Sequence, residues 1–141
     1  ATYLYSTIKD NSIIGSLKQK KLKTSDKYEL YYSLPSDEYE EIVFVSKSVG
    51  TIEAGWLAEQ LSVKVTQIFL TPVSETIPYF TLDNKIVIGT KDKAYEIVKT
   101  TCDEKHIAAV YIEDANHSLE IEGKPYESID VLKRVLEFIE A

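Results

Sequence analysis

The stretch Ile42-Val43-Phe44-Val45-Ser46-Lys47-Ser48-Val49-Gly50-Thr51, continued by Ile52-Glu53-Ala54-Gly55-Trp56-Leu57-Ala58-Glu59-Gln60-Leu61, reads as strand, sharp turn and helix. Ile42 to Val45 are consecutive β-branched or aromatic residues, the composition of a strand buried on both faces. After Gly50 the apolar Ile52, Trp56, Leu57 and Leu61 recur at helical spacing, which predicts one stripe covering the sheet and puts Trp56 in the core. Ser48 sits between the two elements. A turn this tight accepts only small side chains two positions before and two after its apex, and Ser46 and Gly50 meet that condition. Strain in such a turn projects the apical hydroxyl. The plain alternative is a serine that merely ends a strand.

Further along, the alternation is regular. With strand 42–46 and helix 51–61 go strand 65–70, strand 85–90, helix 93–102, strand 107–112 and helix 128–140. This order implies parallel βαβ units with helices on both faces of the sheet, a three-layer α/β/α architecture. Two of the later apolar runs end in residues that carry chemistry, Gly89-Thr90-Lys91-Asp92 and Glu113-Asp114-Ala115-Asn116-His117-Ser118. The chain has two histidines. His106 precedes the strand at 107–112 and so stands at its amino end, on the sheet edge opposite Ser48. His117 follows the same strand, on the edge Ser48 occupies, and is the candidate general base. Asp92, at the end of its own strand, is the candidate acid that would orient the imidazole; capping the next helix is its plain alternative. Glu75 is the runner-up. Asp114 is too close to His117 in sequence to orient it well.

In Val45-Ser46-Lys47-Ser48-Val49-Gly50-Thr51, Ile86-Val87-Ile88-Gly89-Thr90-Lys91-Asp92 and Asp114-Ala115-Asn116-His117-Ser118-Leu119, the sequence resembles the α/β-hydrolase superfamily, over about residues 40–141. The first stretch is similar to the nucleophile elbow of small bacterial hydrolases, the second to the strand and acid turn, the third to the histidine loop. The resemblance implies nucleophile, acid and histidine in the order Ser48, Asp92, His117, each just past the carboxyl end of a parallel strand. It also implies that the backbone N–H of Val49 donates to an oxyanion. The second donor, which this family takes from an earlier, often glycine-rich loop, has no counterpart before Ser46, where Gly15 is the only glycine.

Composition bounds the rest. A length of 141 residues fits a single domain spanning 1–141, and 44% hydrophobic with 11% aromatic residues suffices for a core. Sixteen basic against 23 acidic residues give a net charge of −7, which disfavours nucleic acid and anionic membranes as partners. The lone Cys102 excludes an internal disulfide and reads as a small buried apolar residue; no Cys/His pattern suggests a metal. With no apolar run long enough to span a bilayer and no signal-like start, the expectation is a cytoplasmic protein.

Residues 1–8 read as a strand, 28–34 is ambiguous between strand and helix, and the basic run 18–23 is a solvated face. Within the last helix, Ser128 is placed to cap the start and Ile129, Leu132, Val135, Leu136 and Ile139 to share one side. Between residues 73 and 84, Ile77, Pro78, Tyr79 and Phe80 offer an apolar wall to a ligand, to the core or to a partner subunit. Lys47 reads as a surface residue. The leading reading is a small serine hydrolase acting on a small-molecule acyl substrate with no cofactor; a homo-oligomer is compatible with it. The alternative is a non-catalytic or degenerate interaction module of the same fold.

Overall fold

The computed structural model describes residues 40–141, so the expectations for 1–8, 18–23 and 28–34 lie outside the described residues. The elements are β1 (Glu41–Lys47), α1 (Gly50–Gln60), β2 (Lys64–Leu70), a 3-10 helix (Ser74–Tyr79), β3 (Lys85–Gly89), α2 (Tyr95–Lys105), β4 (Ala108–Ile112) and α3 (Pro125–Glu140). The strands form a parallel sheet in the order β1-β2-β3-β4. Val45 pairs with Ile68, Leu70 with Val87, and Gly89 with Ile112. Parallel pairing brings every carboxyl end, and the turn that follows it, to one edge.

Successive strand residues point to opposite faces, so β2, β3 and β4 feed two cores, while β1 contributes to one. Ile42 and Phe44 of β1, Phe69 of β2, and Ile86 and Ile88 of β3 meet Ala54 and Leu57 of α1 and Val98 and Cys102 of α2. On the other face Val87, Ile112 and Ala115 meet Val131 and Val135 of α3. The expected helices on both faces are therefore present. Phe44, Leu57 and Phe69 are fully buried, each burial worth about 1.5–3 kcal/mol. Val43 and Val45 are half-buried, because β1 lies at the edge of the sheet among the described residues.

The stripes on the helices match the expected ones in part: Leu57 of α1 and Val135 of α3 are buried as expected, and the rest of each stripe is less so. In α1 the buried residues are Thr51, Glu53, Ala54, Gly55 and Leu57, while Trp56 is half-buried at the margin of the core. The helix approaches the 3-10 segment through Gly55, where a Cβ would run into the Tyr79 ring. Close approach favours small residues over the large ones that periodicity selects. Of the apolar wall, Phe80 is buried and stacks on Phe69 at 5.8 Å, Ile77 and Tyr79 pack on the core, and Pro78 stays exposed.

In α3, Val131 and Val135 face the sheet, leaving Ile129, Leu132 and Leu136 exposed. That helix starts at Pro125, whose fixed φ suits the first turn. Ser128 does not cap it. Its hydroxyl oxygen accepts from the Ile121 N–H at 2.9 Å and its proton faces the Lys124 carbonyl at 3.0 Å, tying the preceding loop to the helix. No described helix is long and apolar enough to cross a membrane.

Candidate functional site

Ser48 stands at the apex of the turn from β1 to α1 with φ of 55°, a left-handed conformation that non-glycine residues adopt at a cost. Three hydrogen bonds hold it there. Its N–H donates to the Leu70 carbonyl at 3.0 Å, anchoring the turn to β2, and its carbonyl accepts from both the N–H and the hydroxyl of Thr51. A Cβ at Gly50 would meet open space, so the small residue expected there is not sterically required in this turn.

Asp92 follows β3, and its N–H donates to the Gly89 carbonyl at 3.1 Å. Its side chain is 2% exposed, with Oδ1 accepting from the Ala94 N–H at 2.9 Å. That bond closes an Asx-turn ahead of α2, whose N-cap residue is Ala94 and whose start carries no side-chain cap, so the helix-capping alternative is not realised. The other oxygen, Oδ2, lies 2.6 Å from His117 Nδ1. His117 Nε2 in turn lies 2.7 Å from Ser48 Oγ. The three side chains form one continuous hydrogen-bonded line, from a buried carboxylate, through an imidazole 46% exposed, to the hydroxyl at the turn.

That order has a chemical consequence. An ionised carboxylate only accepts, so the proton between Asp92 and His117 belongs to Nδ1, and Nε2 is left as an acceptor facing the Ser48 hydroxyl. The imidazole can then take the hydroxyl proton, with the carboxylate beside it to stabilise the resulting cation. Neither Glu75 nor Asp114 occupies the Asp92 position. Glu75 is exposed on the 3-10 helix and accepts from the Ser74 hydroxyl; Asp114 is engaged by Lys91 at 2.8 Å, whose ammonium holds its carboxyl below the usual range. His106 ends α2 in a left-handed conformation at the amino end of β4, on the opposite edge.

The turn after β3 and the loop after β4 are laced together. Thr90 N–H donates to the Ile112 carbonyl, Lys91 N–H to the Ala115 carbonyl, and Asp114 N–H to the Thr90 hydroxyl. A Cβ at Gly89 would strike the Ala115 carbonyl, so glycine is what allows these segments to touch. Asn116 closes the loop, its Oδ1 accepting from the Ser118 and Glu120 N–H groups. Lys47 is exposed as expected, yet its Nζ donates to the His117 carbonyl at 3.1 Å and spans from the serine turn to the histidine loop. Sequence reasoning missed this contact, since nothing local to Lys47 announces a residue 70 positions away.

Val49 is 40% exposed, and no hydrogen bond among the described residues takes up its backbone N–H, which lies at the electropositive start of α1. Among the described residues, no cluster of three or more His, Cys, Asp or Glu is arranged to hold a metal ion.

No protein-family model and no curated protein sequence matches the chain. Among solved structures, the chain is similar to that of a candidate hydrolase of the alpha/beta superfamily from Xanthomonas campestris pv. campestris, with a TM-score of 0.52 and 15% sequence identity. The similarity covers 91% of this chain and 67% of the other. At that identity the likeness concerns the fold alone.

Proposed function

We propose that this chain is a serine hydrolase that cleaves an ester, thioester or amide through an acyl-enzyme. The observation that carries the reading is the unbroken line Ser48 Oγ, His117 Nε2, His117 Nδ1, Asp92 Oδ2, with successive gaps of 2.7 and 2.6 Å and the carboxylate buried. Ser48 Oγ attacks the acyl carbon while Nε2 accepts its proton, and Asp92 stabilises the imidazolium. The Val49 N–H donates to the carbonyl oxygen as it becomes an anion. Collapse of that intermediate breaks the bond to the leaving group, which takes the proton from Nε2. Water, deprotonated by the same nitrogen, then attacks the acyl carbon, and the bond to Ser48 Oγ breaks as Oγ takes the proton back from Nε2 and the acid leaves. These steps require no cofactor, and the substrate is a small acyl compound.

The test is labelling by a fluorophosphonate probe. The parent protein is expected to form an adduct on Ser48, seen by peptide mass spectrometry, and Ser48→Ala is expected to form none. A folded parent that stays unlabelled would favour an inert interaction module of the same fold.

A further inference from the structure

Thr51 and Thr76 are both fully buried, and their hydroxyl oxygens lie 2.6 Å apart although 25 residues separate them. Thr51 belongs to the first turn of α1 and Thr76 to the 3-10 helix after β2. Counting protons orders the pair. The Thr51 hydroxyl has one proton, and the Ser48 carbonyl 2.5 Å away can only accept, so that proton goes to the carbonyl. The bond between the two threonines must then use the proton of Thr76. The chain runs Thr76 O–H to Thr51 Oγ1, then Thr51 O–H to the Ser48 carbonyl.

The Ser48 carbonyl and the Val49 N–H belong to one peptide unit, which is planar and trans, so they point in opposite directions. Whatever holds the carbonyl inward aims the N–H outward. Thr51 holds it with two donors, its N–H at 3.0 Å and its hydroxyl. Successive hydrogen bonds also polarise one another, so a donated proton at the carbonyl strengthens the N–H across the same amide as a donor. Because Ser48 sits in a costly left-handed conformation, the peptide has a tendency to rotate that the two hydroxyls oppose.

We infer that Thr76, acting through Thr51, is a positioning residue that aims and polarises the Val49 N–H at the reacting carbonyl oxygen. This rests on the reading of Ser48 as nucleophile and Val49 as oxyanion donor. It makes the 3-10 segment part of the apparatus that stabilises negative charge. Thr76→Val preserves shape and removes the proton.

With a p-nitrophenyl short-chain ester, Thr76→Val should lower kcat roughly 10- to 100-fold with KM within twofold, since a misplaced donor costs less than a deleted one. Affinity for an aryl trifluoromethyl ketone, which adds Ser48 and carries an oxyanion, should weaken in parallel with kcat. Thr76→Ser, which keeps the hydroxyl, should restore most of both. Circular dichroism and melting confirm matched folding, and Thr76→Ala carries the same expectations if the valine variant does not fold. Unchanged kcat in a folded Thr76→Val, a kcat loss without the parallel loss of ketone affinity, or no recovery with serine would each overturn the inference. A parent that labels with fluorophosphonate while Thr76→Val labels equally fast defeats this inference alone; a parent that neither labels nor turns over defeats the hydrolase reading and takes the inference with it.

Discussion

Replacing Asp92 by asparagine tests the site at the atom where the local structure is most demanding. The carboxylate satisfies two donors at once, His117 Nδ1 on Oδ2 at 2.6 Å and the Ala94 N–H on Oδ1 at 2.9 Å. An amide has one acceptor oxygen. If it stays with Ala94, the NH2 faces Nδ1, which must then be the unprotonated nitrogen; Nε2 carries the proton and cannot accept one from Ser48. If the amide flips, the productive tautomer returns, but the NH2 opposes the buried Ala94 N–H at a cost of about 1–3 kcal/mol. That cost reduces the productive population by roughly 5- to 150-fold, at about 1.4 kcal/mol per factor of ten. Loss of the charge opposite the imidazolium adds to it, so kcat/KM on a p-nitrophenyl ester should fall roughly 10²- to 10⁴-fold, the upper end being the value known for the best-studied serine protease triad. Steady-state rates with circular dichroism at matched folding measure it. A folded Asp92→Asn within threefold of the parent would refute the reasoning, because no tautomer argument survives that result.

The remaining expectations concern rank, packing and pH. Ser48→Ala and His117→Ala should each remove nearly all ester turnover, since nucleophile and base act as a unit, while His106→Ala, on the opposite sheet edge, should stay within a few-fold of the parent in the same assay. Gly89→Ala should destabilise the fold by about 1–3 kcal/mol, read by urea denaturation, because its Cβ meets the Ala115 backbone rather than a yielding side chain; a loss under about 0.5 kcal/mol would mean the two turns separate easily. Burial pushes the Tyr111 hydroxyl up from an ordinary value of 10.0 to about 12, helped by Cys102 and Asp103. The folded chain therefore keeps a proton that the unfolded chain has lost, so stability is unaffected below about pH 10 and falls as pH rises from there through about 12. Denaturation midpoints across that window should fall less steeply for Tyr111→Phe than for the parent.

Much of this architecture was legible in the amino-acid order by itself. Apolar runs at β1 to β4, with helical stretches after the first and third and a long connection after the second, point to parallel crossovers. Parallel strands put all their carboxyl ends on one edge, and from that alone the turns carrying Ser48, Asp92 and His117 share an edge from which His106 is excluded. α2 starts two residues and ends three residues later than expected, and α3 ends at Glu140 as expected but starts three residues earlier, because Pro125 starts a helix that Ser128 only braces. What the tertiary structure decided are contacts between segments distant in the chain: Gly55 under the Tyr79 ring, Gly89 against Ala115, Lys47 reaching the His117 carbonyl, Thr76 donating to Thr51. It also decided which residues of each helix are buried, placing Ala54 and Gly55 beside Leu57 in α1 with Trp56 at the margin, and Val131 with Val135 rather than Ile129 and Leu136 in α3. Periodicity reports that a face is apolar. Which face is used, and how closely another segment approaches it, depends on where that segment lies in space, and short-range spacing carries no term for that distance.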